Sequence, residues 1–391
     1  MRIIYIGPFR LPNYDAAAAR VLNIARSLRL AGHEVSFVSW GGKYREKDRC
    51  KDEIYRVDGF PYIVTNEIGV AGGIIKKAIG WLTLGRKTKK ILKDRLNQYD
   101  AIITYDGGLA HWLIGFSRRN NKYLICDCSE WFSYKEQKIV EIPSLYIKMH
   151  YLLHQIDNKI VISTYLDNHF CKSHNIIIPA TCNASEEKWH TGKEAALEKV
   201  GSFDGITLIY AGTPTGKDAL HYAVRAVNCL ISEGANIRFI ILGCELNDYL
   251  NSIKVQHPND VLSNRIMFLG RVPQDDVPSF YAISDFMILL REQTRKSNAG
   301  FPTKFSESFT SGTPVIANLT SDLGKYLKDG VTGFVVPEPC EESVYRTLKE
   351  KILPLSNTEI ERLKYNVKEA SMQLDFHSFI KPLKLFMDEL K

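Results

Sequence analysis

Short, almost wholly apolar runs alternate along this chain with longer stretches whose apolar residues recur every three or four positions. The first run, MRIIYIGPF, reads as a strand buried on both faces. It passes through the polar stretch LPNYDA into AAAARVLNIARSLRLAG, whose spacing predicts a helix stopping at Gly32. HEVSFVSW is the next strand, so the chain opens with a βαβ unit of a parallel sheet covered by helices. Strand and loop follow at 100–108 (DAIITYDGG), then a helix to about Asn120 and a strand within KYLICDCSEWF at 122–132. NKIVISTY (158–165) and IIIPA (176–180) complete the first series.

Residues from about Cys182 to Ser202 carry no strand pattern and read as a connection with a short helix. A second series starts at GITLIYAGT (205–213), followed by a helix around 219–234, strand IRFIILG (237–243) and a helix around 245–256. Strand RIMFLGRV (265–272), a short helix at 275–283 and strand DFMILLR (285–291) come next. AGFPTKFSESFTSGTPVIA (299–317) reads as a loop, a helix and a Gly-Thr-Pro turn into strand PVIANL (314–319), and the tail from Ser343 to Lys391 is helical. The expected architecture is α/β, with a doubly wound domain at 1–183, a second at 184–375, and a helix at 376–391 packing back on the first. Folds of this kind bind ligands at the carboxyl ends of their strands, which implies a central cleft.

The bulk properties narrow the picture only slightly. A chain of 391 residues, 45% hydrophobic and 24% charged, suits a globular protein of two domains. The net charge of +7 permits an anionic partner without pointing to nucleic acid, and no nucleic-acid partner is expected. Eight scattered cysteines without a Cys-x-x-Cys pair, and no signal peptide, predict reduced thiols in the cytoplasm. No apolar run reaches the ~18 residues of a spanning helix. Residues 72–99 are basic, with Lys76, Lys77, Arg86, Lys87, Lys89, Lys90, Lys93 and Arg95 against Asp94, and carry Ile74, Ile75, Ile79, Trp81, Leu82 and Leu84. They read either as a solvated surface helix or as a peripheral contact with an anionic membrane.

The candidate chemistry lies at strand ends of the second series. Gly212 ends its first strand and lets backbone approach a ligand, and Lys217 follows where it can neutralise a phosphate or simply sit in a loop before the helix. Arg271 and Arg291 also end strands. Lys304 occupies the first turn of a helix, where the backbone dipole prefers an acid. These cations and that helix N-terminus converge, on this reading, on a dianionic group.

The order of these pieces resembles the retaining glycosyltransferases of family 4, which have the GT-B fold. The resemblance is carried by AGFPTKFSESFTSGTPVIA, ARVLNIARSLRLAGHEVSFVS, LIYAGTPTGKD, LGRVPQDDVPSFYAISDFMIL and DLGKYLKDGVTGFVV, and covers nearly the whole chain. It implies two Rossmann-like domains facing a cleft and a nucleoside-diphosphate sugar as donor. Glu307 matches the second Glu of the family's Glu-x7-Glu motif, which holds the ribose hydroxyls. Gly300 and Phe301 match the loop facing the diphosphate and donor sugar, Lys217 the lysine of the phosphate pair, and Gly7 the first-domain loop near donor and acceptor. The first Glu falls at Ala299 and the phosphate arginine at Thr213, and Lys304 is expected to supply the missing positive charge. Asp127 and Glu130 of DCSEW stand where the family often has an acidic strand end near the reacting carbon, which makes them catalytic candidates with Lys217. Asp127 also reads as a helix cap. Asp106, His111 and Arg20 are acceptor-side candidates, Arg20 alternatively a surface residue.

The resemblance further implies transfer with retention to a saccharide or lipid-linked acceptor in cell-surface polysaccharide synthesis, at the inner face of the membrane. No Asp-x-Asp motif stands at a suitable strand end, so neither a metal nor another cofactor is expected. A non-catalytic partner subunit and a nucleotide-sugar epimerase share this architecture. A dinucleotide-dependent oxidoreductase is disfavoured, because no Gly-x-Gly-x-x-Gly follows the first strand.

Overall fold

A computed structural model describes residues 1–12, 15–67, 84–134, 137–214, 218–252 and 262–391. The chain divides into two compact units, Met1–Thr181 with Phe376–Lys391, and Cys182–Asp375.

The first unit is built on an eight-stranded sheet. Its strands are β1 (Arg2–Leu11), β2 (Glu34–Gly42), β3 (Arg56–Val57), β4 (Phe60–Val64), β5 (Ala101–Tyr105), β6 (Tyr123–Cys128), β7 (Asn158–Val161) and β8 (His174–Ile177). They lie in the order β3-β4-β2-β1-β5-β6-β7-β8, parallel except for the β3–β4 hairpin. Every residue of β5 and β7 is buried, as a sheet covered on both faces requires. The helix Ala16–Leu30 starts where Asp15 accepts a hydrogen bond from the Ala18 amide at 2.8 Å, and its apolar stripe seals the sheet.

Two local features depart from the sequence expectation. β1 runs on through Phe9 to Leu11, with a register shift between Gly7 and Arg10, because Phe9 and Leu11 are fully buried. The Phe9 ring meets Tyr5, Phe37 and Tyr105 edge-on at 5.8–6.2 Å. The β3–β4 hairpin was not anticipated, although Asp58-Gly59, at φ 50° and 78°, is the two-residue turn that such hairpins prefer. Of the basic 72–99 segment, residues up to 83 lie outside the described residues. Arg86–Asp94 is a helix with Arg86, Lys87, Lys90 and Lys93 exposed and Thr88 and Leu92 buried. Glu67 caps it, accepting from the amides of Lys87 and Thr88 at 2.9 and 3.3 Å.

The second unit has six parallel strands, β9 (Ile206–Ala211), β10 (Ile237–Leu242), β11 (Ile266–Phe268), β12 (Phe286–Leu289), β13 (Val315–Ala317) and β14 (Gly333–Val335). Their order is β11-β10-β9-β12-β13-β14, so the sequence order reverses at β9, between β10 and β12. The carboxyl ends of β9 and β12 therefore border a topological switch point, the usual place for a ligand in such a sheet. The first unit has the corresponding reversal at β1, between β2 and β5. β14 lies outside the strands read from the sequence, being short and led by Gly333. The long helix Asn357–Ser371 is set by a capping box of Ser356 and Glu359.

The chain's last segment belongs to the first unit. Leu383, Phe386 and Met387 of helix Ile380–Asp388 join its core, and Ser27 Oγ donates to the Phe376 carbonyl at 2.7 Å. Each such buried side chain contributes roughly 1.5–3 kcal/mol. Among the described residues no helix is long and apolar enough to cross a membrane.

Gly7, expected near the ligands, is buried on β1, where an added Cβ would stand 2.6 Å from Tyr105 Cβ. A Gly7→Ala variant is expected to lose about 1–3 kcal/mol of stability through overpacking, measured by urea denaturation.

Candidate active site

In the second unit, two glycines open the carboxyl edge of the sheet. Gly243, at φ 86°, lies so near the β9 loop that a Cβ there would come within 2.6 Å of the Gly212 carbonyl carbon. Gly212, at φ 130°, in turn leaves room for Lys304, because a Cβ on it would stand 2.3 Å from Lys304 Cε. The Lys304 ammonium, on the first turn of helix Thr303–Thr310, is thereby laid across the end of β9.

That ammonium has protein partners, which the sequence reading did not supply. It donates to Asp218 Oδ2 at 2.5 Å and to the Tyr210 hydroxyl at 2.9 Å, and lies 4.7 Å from the Tyr210 ring centre. Tyr210 donates to the same carboxylate oxygen at 2.6 Å, while Arg291 Nε donates to Asp218 Oδ1 at 3.0 Å. The backbone locks this cluster too. Asp218 forms an isolated antiparallel bridge to Arg291, and the Ala219 amide donates to the Leu290 carbonyl at 2.8 Å. Asn318, just beyond β13, accepts from the Arg291 amide and donates to the Arg291 carbonyl, both at 2.8 Å.

The Asp218 side chain is 1% exposed, that of Arg291 10% and that of Lys304 15%, so one carboxylate meets two cations largely out of water. Burial alone would raise the Asp218 carboxyl, but the neighbouring Lys304 and Arg291 charges outweigh it and hold the group below the usual carboxylate range. Burial pulls the Lys304 ammonium below its ordinary value, against the opposing pull of Asp218. Lys304, expected to converge with other cations on a dianionic group, thus meets Arg291 through a shared carboxylate, in a cluster of Lys304, Arg291 and Asp218 with one positive charge in excess.

Glu307 lies one turn further along the helix and is half-buried. Burial raises its carboxyl above the usual value, with Lys188 and Lys304 pulling the other way. Its carboxylate has no hydrogen-bond partner among the described residues. Helix Arg295–Ala299 ends at fully buried Ala299, after which Gly300 is extended and Phe301, 6% exposed, meets Phe305 and Tyr326 edge-on at 5.9 and 5.7 Å. Gly212, Arg291, Lys304 and Glu307 are brought to one edge. Arg271 is exposed after the outermost strand, β11, and no described contact joins it to them. Lys217 lies outside the described residues. Asp218, Tyr210 and Asn318 were missed by the sequence reading, and only the acid directly after Lys217 offered a signal.

In the first unit the acidic candidates separate. Asp127 is fully buried on β6 and Arg20 is 4% exposed. Arg20 donates to the Asp127 carboxylate at 2.7, 3.1 and 3.2 Å and to the carbonyls of Ile178 and Pro179 at 2.7 and 3.1 Å. Tyr5 donates its hydroxyl to Asp127 Oδ2, which Arg20 Nε also reaches. These contacts correct four expectations. Arg20 is neither a surface residue nor free for an acceptor phosphate, and Asp127 caps no helix and offers no surface to a reacting group. They hold β1, β6 and the first helix together.

Asp106 stands at the carboxyl end of β5 in the left-handed conformation, φ 48°. Its carboxylate accepts from the Ser129 amide at 2.7 Å and hydroxyl at 2.9 Å. Burial pushes its carboxyl up to about 6, opposed by Lys148 and reinforced by half-buried Glu130. Asp106, Ser129 and Glu130 thus share the ends of β5 and β6. His111 is exposed on helix Ala110–Arg119, its imidazole lowered by partial burial and by Lys89, and no described contact joins it to Asp106 or Asp127. Among the described residues, no three His, Cys, Asp or Glu side chains are placed to hold a metal ion.

Two Rossmann-like units, each with its strand ends opening at a switch point, make up the GT-B fold, which the chain shares with solved structures of glycosyltransferases. Residues 193–369, within the second unit, match the family model described as glycosyl transferases group 1. Sucrose-phosphate synthase from Thermosynechococcus elongatus is similar at a TM-score of 0.74 and 14% identity, covering 100% of this chain and 99% of that one. Anabaena HepE in complex with UDP and glucose is similar at 0.69 and 15%, covering 100% of both chains. WaaG, a glycosyltransferase involved in lipopolysaccharide biosynthesis, is similar at 0.65 and 13%, covering 97% of this chain and 98% of that one. At these identities the likeness speaks for the fold. No curated protein matches the chain by sequence.

An Asp127→Asn variant is expected to destabilise the first unit by about 3–5 kcal/mol in urea denaturation, because it leaves the buried Arg20 charge uncompensated. An unchanged midpoint would remove Asp127 from that structural role. For Asp106, folding shifts the carboxyl from 3.8 to about 6, so the folded state holds the proton more tightly. Its stabilisation is full at acid pH and is lost as pH rises through that window. Asp106→Asn is expected to flatten stability against pH between these two values, read from urea midpoints across the range.

Proposed function

We propose that the protein transfers a sugar from a nucleoside-diphosphate sugar, bound on the second unit, to a hydroxyl of a saccharide acceptor. The observation that carries this reading is the half-buried Glu307 carboxylate, without a hydrogen-bond partner among the described residues, one turn from the Lys304 ammonium. A carboxylate with free lone pairs accepts the vicinal hydroxyls of a ribose, and a nearby cation suits the diphosphate. Gly212 leaves the backbone open at the same edge, and Gly300 and Phe301 line the approach to the helix N-terminus. Complexes of HepE with UDP and with UDP-glucose support a uridine nucleotide as the first donor to try.

In this mechanism the bond between the anomeric carbon and the diphosphate breaks while an acceptor hydroxyl bonds to that carbon and gives up its proton to the departing diphosphate. Charge developing on the leaving phosphate oxygen is stabilised by Lys304, Arg291 and the helix N-terminus, with Lys217 and Arg271 as further cations. Asp106 and Glu130 are the acceptor-side acids. We assign retention of configuration, and a lipid-linked saccharide acceptor in surface-polysaccharide synthesis. The exposed Arg86, Lys87, Lys90 and Lys93 suit an anionic membrane surface, and WaaG acts in lipopolysaccharide biosynthesis.

The test is calorimetric titration of the protein with UDP-glucose, UDP-N-acetylglucosamine, GDP-mannose and ADP-glucose, followed by transfer from the binder to lipid-linked acceptors in membrane vesicles. One donor is expected to bind, and Glu307→Ala is expected to weaken it at least tenfold, about 1.4 kcal/mol. Undiminished affinity in Glu307→Ala, or no binding across the panel, would overturn the reading.

A further inference from the structure

We propose that Asp218 is a positioning residue for the donor diphosphate, holding the Lys304 ammonium protonated and fixed over the end of β9, where the nucleotide's phosphates dock. The proposal rests on the donor reading above and extends it to a residue that touches no substrate.

The geometry leaves Asp218 little other purpose. Its carboxylate is anchored from behind, because the 218–219 backbone is joined to residues 290–291 by the isolated bridge and the Ala219–Leu290 hydrogen bond. One oxygen is taken by Arg291 and the other by Lys304 and Tyr210. Lys304 is thus drawn across Gly212, where any larger residue would collide with its stem. The cluster holds one charge in excess, which suits an anion.

The ionisable groups facing the Lys304 ammonium among the described residues are Asp218 before the Leu220–Ser232 helix, Tyr210 on β9, Arg291 after β12, and Glu307 on its own helix. Two of these act against each other: Arg291 disfavours the ammonium and Asp218 favours it. Burial also disfavours the charged form, so the nearest acid is what keeps the proton on. With Asp218 neutralised, a buried ammonium beside a guanidinium sheds its proton as pH rises, and a neutral amine attracts no phosphate.

The experiment titrates UDP-glucose, or whichever panel member binds, into wild type and Asp218→Asn between pH 6.5 and 8.5. Wild-type affinity is expected to be flat with pH. In Asp218→Asn it is expected to fall about tenfold across the range, one decade per unit once Lys304 titrates. Adding Lys304→Arg to Asp218→Asn supplies a cation that does not deprotonate, and is expected to restore a flat profile. A loss of affinity equal at every pH, or none, would overturn the proposal, and so would a pH slope that survives Lys304→Arg. If Asp218→Asn fails to fold, Asp218→Glu decides. It keeps the charge but displaces the ammonium, so the profile should stay flat and the affinity fall severalfold at every pH, whereas wild-type affinity would overturn the proposal. Failure of wild type to bind any donor would instead sink the donor reading itself.

Discussion

A charge withdrawn from water must meet an opposite charge, and this constraint organises the carboxyl ends of the strands in both units. In the first unit Arg20 and Asp127 satisfy it completely. The guanidinium spends its remaining donors on the carbonyls of Ile178 and Pro179, so the pair works as an internal tie. In the second unit the same constraint is met with a surplus, two cations around Asp218. The balanced pair holds structure together, while the unbalanced one leaves attraction for an incoming anion. The proposed donor site lies in the second unit for that reason.

The packing around the unbalanced cluster follows from the parallel sheet. Strand reversal at β9 makes its end and that of β12 neighbours, and bare glycine backbone at 212 and 243 lets a lysine side chain cross between loops. Asn318 adds a neutral clamp on the Arg291 backbone, fixing the guanidinium without changing the charge balance. Glu307 then stands where burial is incomplete and no donor among the described residues reaches it. Rigid cations beside an unsatisfied acceptor are what a phosphate followed by sugar hydroxyls requires.

In the first unit, the ends of β5 and β6 carry a different kind of site. Asp106 is held in a strained backbone conformation and anchored by Ser129, and its raised carboxyl lies next to Glu130. Strain and an elevated acid at one strand end are costs that a purely structural loop has no reason to carry. Asp106 and Glu130 are therefore the residues proposed for the acceptor side, while Asp127 and Arg20 move into the scaffold.

The sequence by itself determined the two series of buried strands and amphipathic helices, and the glycine, lysine and carboxylate of the 299–317 stretch. Those features are local, set by periodicity, turns and caps within a few residues. The Asp58-Gly59 hairpin, which was not anticipated, carries its signal in the same local way. The partners of the buried charges were decided only by the tertiary structure. Arg20 meets Asp127 across 107 positions, and Lys304 meets Asp218 across 86. No spacing rule joins residues so far apart; the sheet brings them together, and the desolvation of one makes the other necessary. Lys304 read alone is a misplaced cation at a helix start. Folded, it is half of an ion pair, and Asp218 is the residue that explains it.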